Sequence, residues 1–321
     1  MYFSQALVIA FAAGILAHGV VTEVKGANGV NMPGRNSTEF GGYQIREKNT
    51  NIQTSGCGSQ ADTAIIRDRE IASGKASPLG RTQGNGKVDA AVMVGAFMGA
   101  GAAPPANNGS AASVGVEDNI QQPTQKRQFL SNLLGGLGGG KAGGAAGGAN
   151  GKAGATGIGG LLGGGGTKVN GAPEARVAAA VGAGATKGLP TCADDGTVTM
   201  TLRQINQDGA GPFTADVDGT SGGTDEAAMQ PATVTKDVPG LGVQGISLAT
   251  NTEFDMKVQM PAGMTCSATV AGVSNVCVMR VRNGAAAGPF GGSVAFTQSA
   301  AARKRAIAYN LKKRMEMGAR N

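Results

Sequence analysis

Along the last third of the chain, apolar and polar residues alternate with the period of two that places every second side chain on one face of a pleated sheet. Thr197 to Ile205 carries Val198, Met200 and Leu202 on one side and threonines on the other. Thr252 to Met260 repeats the pattern with Phe254, Met256, Val258 and Met260. Val276 to Arg282 sets Cys277, Met279 and Val281 against Val276, Val278, Arg280 and Arg282, and Ser293 to Gln298 ends the series. Turn residues separate these runs: Asp208-Gly209, Asp218-Gly219, Pro239-Gly240, Pro261-Ala262-Gly263 and Asn283-Gly284. Short alternating strands between turn signals predict an all-β fold, an antiparallel β-sandwich of the fibronectin or immunoglobulin kind.

Nearer the start the pattern is less regular. Gly19 to Lys25, with Val20, Val21 and Val24, predicts a first strand, and Gly26-Ala27-Asn28-Gly29 a turn. Asp62 is expected to cap a short helix through Ala64, Ile65, Ile66 and Ile71, leaving Arg67, Asp68, Arg69 and Glu70 as a solvated face. Gly80 to Gly86 reads as loop, and Val88 to Gly95 as a buried strand or short helix. From Gly95 to Leu189 the alternation disappears. That span holds 27 of the chain's 56 glycines, too little apolar surface to offset chain entropy, so a disordered insert is expected there. Ala300 to Met317 becomes periodic again, with Ile307, Leu311 and Met315 at i, i+4 and i+8, and reads as a basic helix or a frayed tail.

Phe3 to Ala17 carries no charge and is shorter than the roughly 20 apolar residues a membrane span needs. It ends on small Ala17, before His18, the single histidine in 321 residues. This predicts a signal peptide cleaved after Ala17, no transmembrane segment and export from the cell. The expected organisation is a leader over 1–17, the first part of the sandwich over 18–94, the glycine-rich insert over 95–189, the second part over 190–298 and a basic tail over 299–321. Once exposed, the α-amine and imidazole of His18 together could grip a metal such as copper.

Four cysteines, Cys57, Cys192, Cys266 and Cys277, form an even set behind a leader, which points to two disulfides. Three pairings exist. The short spacing of Cys266 and Cys277 suits a hairpin staple, which leaves Cys57 for Cys192. No C-x-x-C pair supports zinc. Asn36-Ser37-Thr38 and Asn108-Gly109-Ser110 are glycosylation sequons, and Lys126-Arg127 is a dibasic pair at which a secretory protease could cut.

The net charge of +7 suggests an anionic partner, but much of the excess sits in the tail, in Arg303-Lys304-Arg305 and Lys312-Lys313-Arg314. Without Trp, and without aromatics interleaved in a basic run, nucleic-acid binding is not expected. A lone histidine ahead of the fold excludes a Ser-His-Asp triad within it, and no motif identifies the acid pair of a glycosidase.

Several blocks resemble the Egh-type virulence factors of pathogenic fungi. They are His18-Gly19-Val20-Val21, the stretch from Gly56 to Arg67, Ser77-Pro78-Leu79-Gly80-Arg81, the stretch from Gln204 to Pro212, and Ala287-Gly288-Pro289-Phe290-Gly291-Gly292. The resemblance implies a secreted, non-enzymatic factor associated with the appressorium and host penetration. Its partner would be a host surface or fungal cell-wall component, and its location outside the cell or within the infection structure. A second, more distant similarity is to lytic polysaccharide monooxygenases and their copper-binding relatives, through a mature His-Gly start and the late Arg-Val-Arg-Asn and Gly-Pro-Phe-Gly-Gly runs. It implies a monooxygenase-like sandwich with copper at His18. The second imidazole of such a site does not exist in this chain, so oxidative catalysis of that type, and any catalytic residue, is not expected. Phe290 or Phe296 could stand where those enzymes keep an axial aromatic, although a core position is the plainer expectation.

Overall fold

A computed structural model describes residues 19–34, 63–82, 86–100, 165–169, 174–240, 247, 249, 251–286 and 288–318. The strands are β1 (Gly19–Lys25), β2 (Asn31–Pro33), β3 (Ala64–Ile65), β4 (Arg81–Thr82), β5 (Gly86–Lys87), β6 (Thr167–Lys168), β7 (Thr197–Gln204), β8 (Phe213–Asp218), β9 (Met229–Lys236), β10 (Thr252–Gln259), β11 (Ala268–Val270), β12 (Val273–Asn283) and β13 (Phe290–Thr297). Helices are α1 (Asp68–Ala72), α2 (Ala90–Phe97), α3 (Glu174–Ala179), α4 (Gly184–Lys187) and α5 (Ala300–Gly318).

Every strand pairing is antiparallel, in the order β2-β1-β7-β10-β9-β8-β12-β13-β3-β4-β5, with β6 added to β10 and β11 to β12. The path folds back on itself at β9. Its first half pairs with β8, from Met229 to Ala232, and its second half with β10, from Thr233 to Lys236, so one strand serves both sheets. Strand β1 thereby comes to lie against β13, and the apolar faces close on each other as an antiparallel sandwich.

The alternation read from the sequence dictates the register. Val198, Met200 and Leu202 of β7 stand opposite Val258, Met256 and Phe254 of β10, and all six are buried. Across the core, Cys277 and Met279 of β12 stand opposite Phe296 and Val294 of β13, also buried. The other face of β12 is covered as well, by the segment from Ile66 to Arg81. Arg280 on that face is 4% exposed and donates to the carbonyl of Pro78 at 2.7 Å and to Asp216 at 2.9 Å. It also meets Glu226 through two parallel bonds of 2.5 and 2.7 Å. A desolvated guanidinium survives there because carboxylates and a carbonyl occupy its donors.

Several expectations are corrected. Ala64 and Ile65 form strand β3, not the start of a helix, because Ile65 packs with Phe290 while Ala64 and Ile66 enter the main core. A helix would not bury consecutive residues on opposite sides in this way. Only Asp68–Ala72 is helical, and Asp62 lies outside the described residues. The stretch expected as loop after Gly80 contributes the short strands β4 and β5. Val88 to Gly95 resolves to helix α2, whose start is capped by the Asp89 carboxylate accepting from the Ala91 N–H at 2.8 Å.

Within the span 95–189, residues 95–100, 165–169 and 174–189 are described and pack on the body. β6 pairs with β10, Arg176 reaches Glu253 at 3.0 Å, and the Gly182 N–H donates to Ala96 at 2.9 Å. Glycine helps here rather than hinders. A Cβ on Gly184 would stand 2.5 Å from the Phe97 ring, so α4 approaches α2 only because the side chain is missing.

Candidate functional site

Four of the stretches singled out in the sequence meet at one end of the sandwich. Gly19, the first residue of β1, pairs with Gln204, the last of β7. Beyond β7 the chain makes a single helical turn, Gln207–Gly209, which returns the carbonyl of Gly209 towards β1. A Cβ on Gly19 would lie 2.6 Å from that oxygen, so the contact requires glycine. From the other sheet, the Ile66 N–H donates to the carbonyl of Pro289 at 2.9 Å, and Arg67 Nε donates to the carbonyl of Gly288 at 2.7 Å.

Asn283, the last residue of β12, binds this end together. It is buried, and its Nδ2 donates to the carbonyls of Asp208 at 2.7 Å and Ala210 at 3.0 Å. Its Oδ1 accepts the N–H groups of Ala285 at 3.2 Å and Phe290 at 3.0 Å. All the bonding capacity of the amide is used, and both loops depend on it. Phe290 is buried beside Ile65 and Ala285, and Phe296 lies in the main core.

Two carboxyls at this end sit in surroundings that favour their protonated form. Burial alone pushes Asp208 above the ordinary range, and it has no ion-pair partner among the described residues. Burial also raises Asp237, although its carboxylate accepts from the N–H groups of Phe213 at 3.0 Å and Val238 at 2.7 Å. Gln204 is fully buried; its Nε2 donates to the carbonyls of Asn206 at 3.0 Å and Ala249 at 2.8 Å, while Oε1 has no hydrogen-bond partner among the described residues. The site therefore offers oxygen acceptors and weakly acidic carboxyls. No three His, Cys, Asp or Glu side chains cluster closely enough to hold a metal among the described residues. Oxygen groups alone are a poor match to copper, which favours nitrogen and sulfur.

The remaining expected residues fall elsewhere. His18, Asn36, Cys57, Asn108, Lys126 and Arg127 lie outside the described residues. Cys266 and Cys277 form a disulfide, fastening the segment before β11 to β12. Cys192 is buried, its N–H donates to Thr297 at 2.9 Å, and burial pushes its thiol upward.

In the charged quartet from Arg67 to Glu70, Asp68 and Arg69 are exposed as expected, but Glu70 is not. Glu70 is buried and takes Arg81 at 2.5 Å and Arg67 at 3.1 Å, while Asp68 pairs with Arg282. The hydrogen bond from Arg81, aided by Arg67, outweighs burial and holds Glu70 down to about 2. Asp218 at the end of β8 is likewise structural. Burial works against its charge, but the N–H groups of Thr220, Ser221 and Gly223 at 2.7, 2.9 and 2.6 Å, with the Ser221 hydroxyl, keep it below the ordinary range.

Sequence reasoning did not single out Asn283, Asp216 or Asp218 as organising residues. Asn283-Gly284 read as a turn, and the two aspartates obscured the strand that they occupy. The detectable signal was their spacing of two, alternating with Ala215 and Val217.

A family model described as Egh16-like virulence factor matches residues 16–291. A Pyricularia oryzae (strain 70-15) protein named appressoria-specific virulence factor GAS2 is 48% identical over 314 residues, covering 98% of this chain and 94% of the relative. A protein from the same strain named appressoria-specific virulence factor GAS1 is 39% identical over 129 residues, covering 39% of this chain and 50% of that relative. No solved structure matches.

Proposed function

Because this chain belongs to the Egh16-like virulence factor family, we propose that it is a secreted, non-enzymatic virulence factor of a fungus, acting with the appressorium in host penetration. The near-full-length likeness to a relative named for that role carries the reading. In support, Glu70, Asp216, Asp218 and Glu226 are committed to arginines or to backbone N–H groups, as struts rather than as a reactive pair. Among the described residues, no helix is long and apolar enough to cross a membrane. The ligand is a host surface or fungal cell-wall component, engaged by the loops that Asn283 joins.

Deletion of the gene, with complementation, tests the role. The deletion strain is expected to form appressoria but penetrate poorly, with rescue by the whole chain and none by a chain lacking residues 1–17. Full penetration by a deletion strain without a redundant relative would sink the proposal, as would turnover of glucan or chitin by the purified protein. N-terminal sequencing is expected to return His18. A non-reducing peptide map is expected to pair Cys57 with Cys192, and the same digest reports sugar at Asn36 and Asn108 and any cut after Arg127.

A second reading, copper binding at the processed terminus, draws on one observation: Asp208, half-buried and unpaired among the described residues, adjoins the Gly209 carbonyl that abuts Gly19. A terminal amine, the His18 imidazole and this carboxyl would make a mixed nitrogen and oxygen set. Calorimetry with processed protein is expected to show at least about micromolar affinity, weakened in Asp208→Asn and lost in His18→Ala. Unchanged affinity in the His18 variant would remove this reading.

A further inference from the structure

Helix α5 is docked by its first half only. Ala302 and Ala306 are buried against the body, Asn310 Nδ2 donates to the carbonyl of Gly263 at 2.8 Å, and Arg305 reaches the carbonyl of Asp194 at 3.3 Å. From Leu311 to Gly318 every residue is exposed. At 100° per residue, the docked positions share one side, and Ile307, Leu311 and Met315 form a row turned away from it. These three are 53%, 56% and 60% exposed; Tyr309 and Met317 of the same helix are exposed too, but off this row, and only the three line up along one face.

The charges are arranged around that row. On the same projection Arg303 and Arg314 border it on one side and Lys312 on the other, while Lys304 stands at its N-terminal end, in line with Leu311 and Met315. The single acidic residue of the helix, Glu316, lies within 3.9 Å of Lys312. A soluble polyanion would be served by the cations but would leave the apolar row in water. A purely apolar groove would leave the cations opposite no counter-charge. An anionic bilayer satisfies both, because the row enters the acyl boundary while the long basic side chains reach back to the headgroups.

We propose that α5 is a membrane-surface anchor that lies in the interface of a bilayer containing anionic lipid, with Ile307, Leu311 and Met315 inserted. The test uses the full processed protein in flotation with vesicles of phosphatidylcholine alone or mixed with phosphatidylserine. Binding to the mixed vesicles is expected to be at least about tenfold tighter and to weaken as salt is raised. The double variant Leu311→Glu, Met315→Glu is expected to lose about tenfold or more without a change in melting temperature, since both positions are exposed. Equal flotation of that variant overturns the proposal. So does failure of the wild-type protein to prefer anionic vesicles, or its capture by heparin in place of vesicles, which would mark a soluble-polyanion site. Loss of a solution dimer in the double variant, with no vesicle binding by the wild type, overturns it in favour of a second copy on the same row.

Discussion

Asn283 donates a hydrogen bond from Nδ2 to the backbone carbonyl of Asp208 at 2.7 Å, joining residues 75 positions apart. With its other three bonds it fixes the loops on either side of the candidate site in one arrangement. Removing the amide leaves buried carbonyl and N–H groups without partners, so Asn283→Ala is expected to cost about 2–3 kcal/mol in urea unfolding. Asn283→Asp should be worse at neutral pH, because a carboxylate has no hydrogen to give to two carbonyls.

Arg280 is expected to be a charged residue whose loss is costly. Arg280→Ala would strand Asp216 and open the contact with Pro78, lowering stability by about 3 kcal/mol. Arg280→Lys should recover only part of this, since a lysine cannot reproduce the paired bonds to Glu226. Thermal unfolding of the two variants side by side checks the order.

Stability should fall with acid through Glu70. Its carboxyl is held at about 2 in the folded chain against an ordinary 4.5, so its contribution is complete above pH 4.5 and disappears as pH falls towards 2. In Glu70→Gln that contribution is absent at neutral pH, and the difference in stability from the wild type should shrink over the same acid window. Urea midpoints measured from pH 7 down to pH 2 decide this, and a constant difference would refute it.

Gly19→Ala should perturb the site while leaving the far end of the sandwich intact. The new methyl would meet the Gly209 carbonyl, a backbone atom that moves only if the turn moves. A loss of about 1–3 kcal/mol is expected, with faster amide exchange confined to residues around 204–212.

The strands with clean alternation were legible in the sequence. β1 was read with its observed ends, and β7 and β10 within one residue, because Val198, Met200, Leu202 and their partners alternate with polar residues and put their apolar side chains on one face. β8 was not, because Asp216 and Asp218 put polar atoms on a face that a later layer covers. β9 was not, because its side chains are mostly exposed and Pro231 sits within it. The charged run that opens α1 misled at Glu70 alone, whose burial depends on Arg81, a residue eleven positions away in sequence.

Local chemistry by itself determined the strand periodicity, the turn positions, the sandwich class and the Cys266–Cys277 pairing, since each depends on neighbours within about a dozen residues. Only the tertiary structure decided that Asn283, Gly19, Asp208 and Pro289 share one end, that Arg280 and Glu70 are buried, and that Ile307, Leu311 and Met315 remain in water. The physical reason is that burial and pairing belong to surfaces, and these surfaces form only when segments from opposite ends of the chain close over one another.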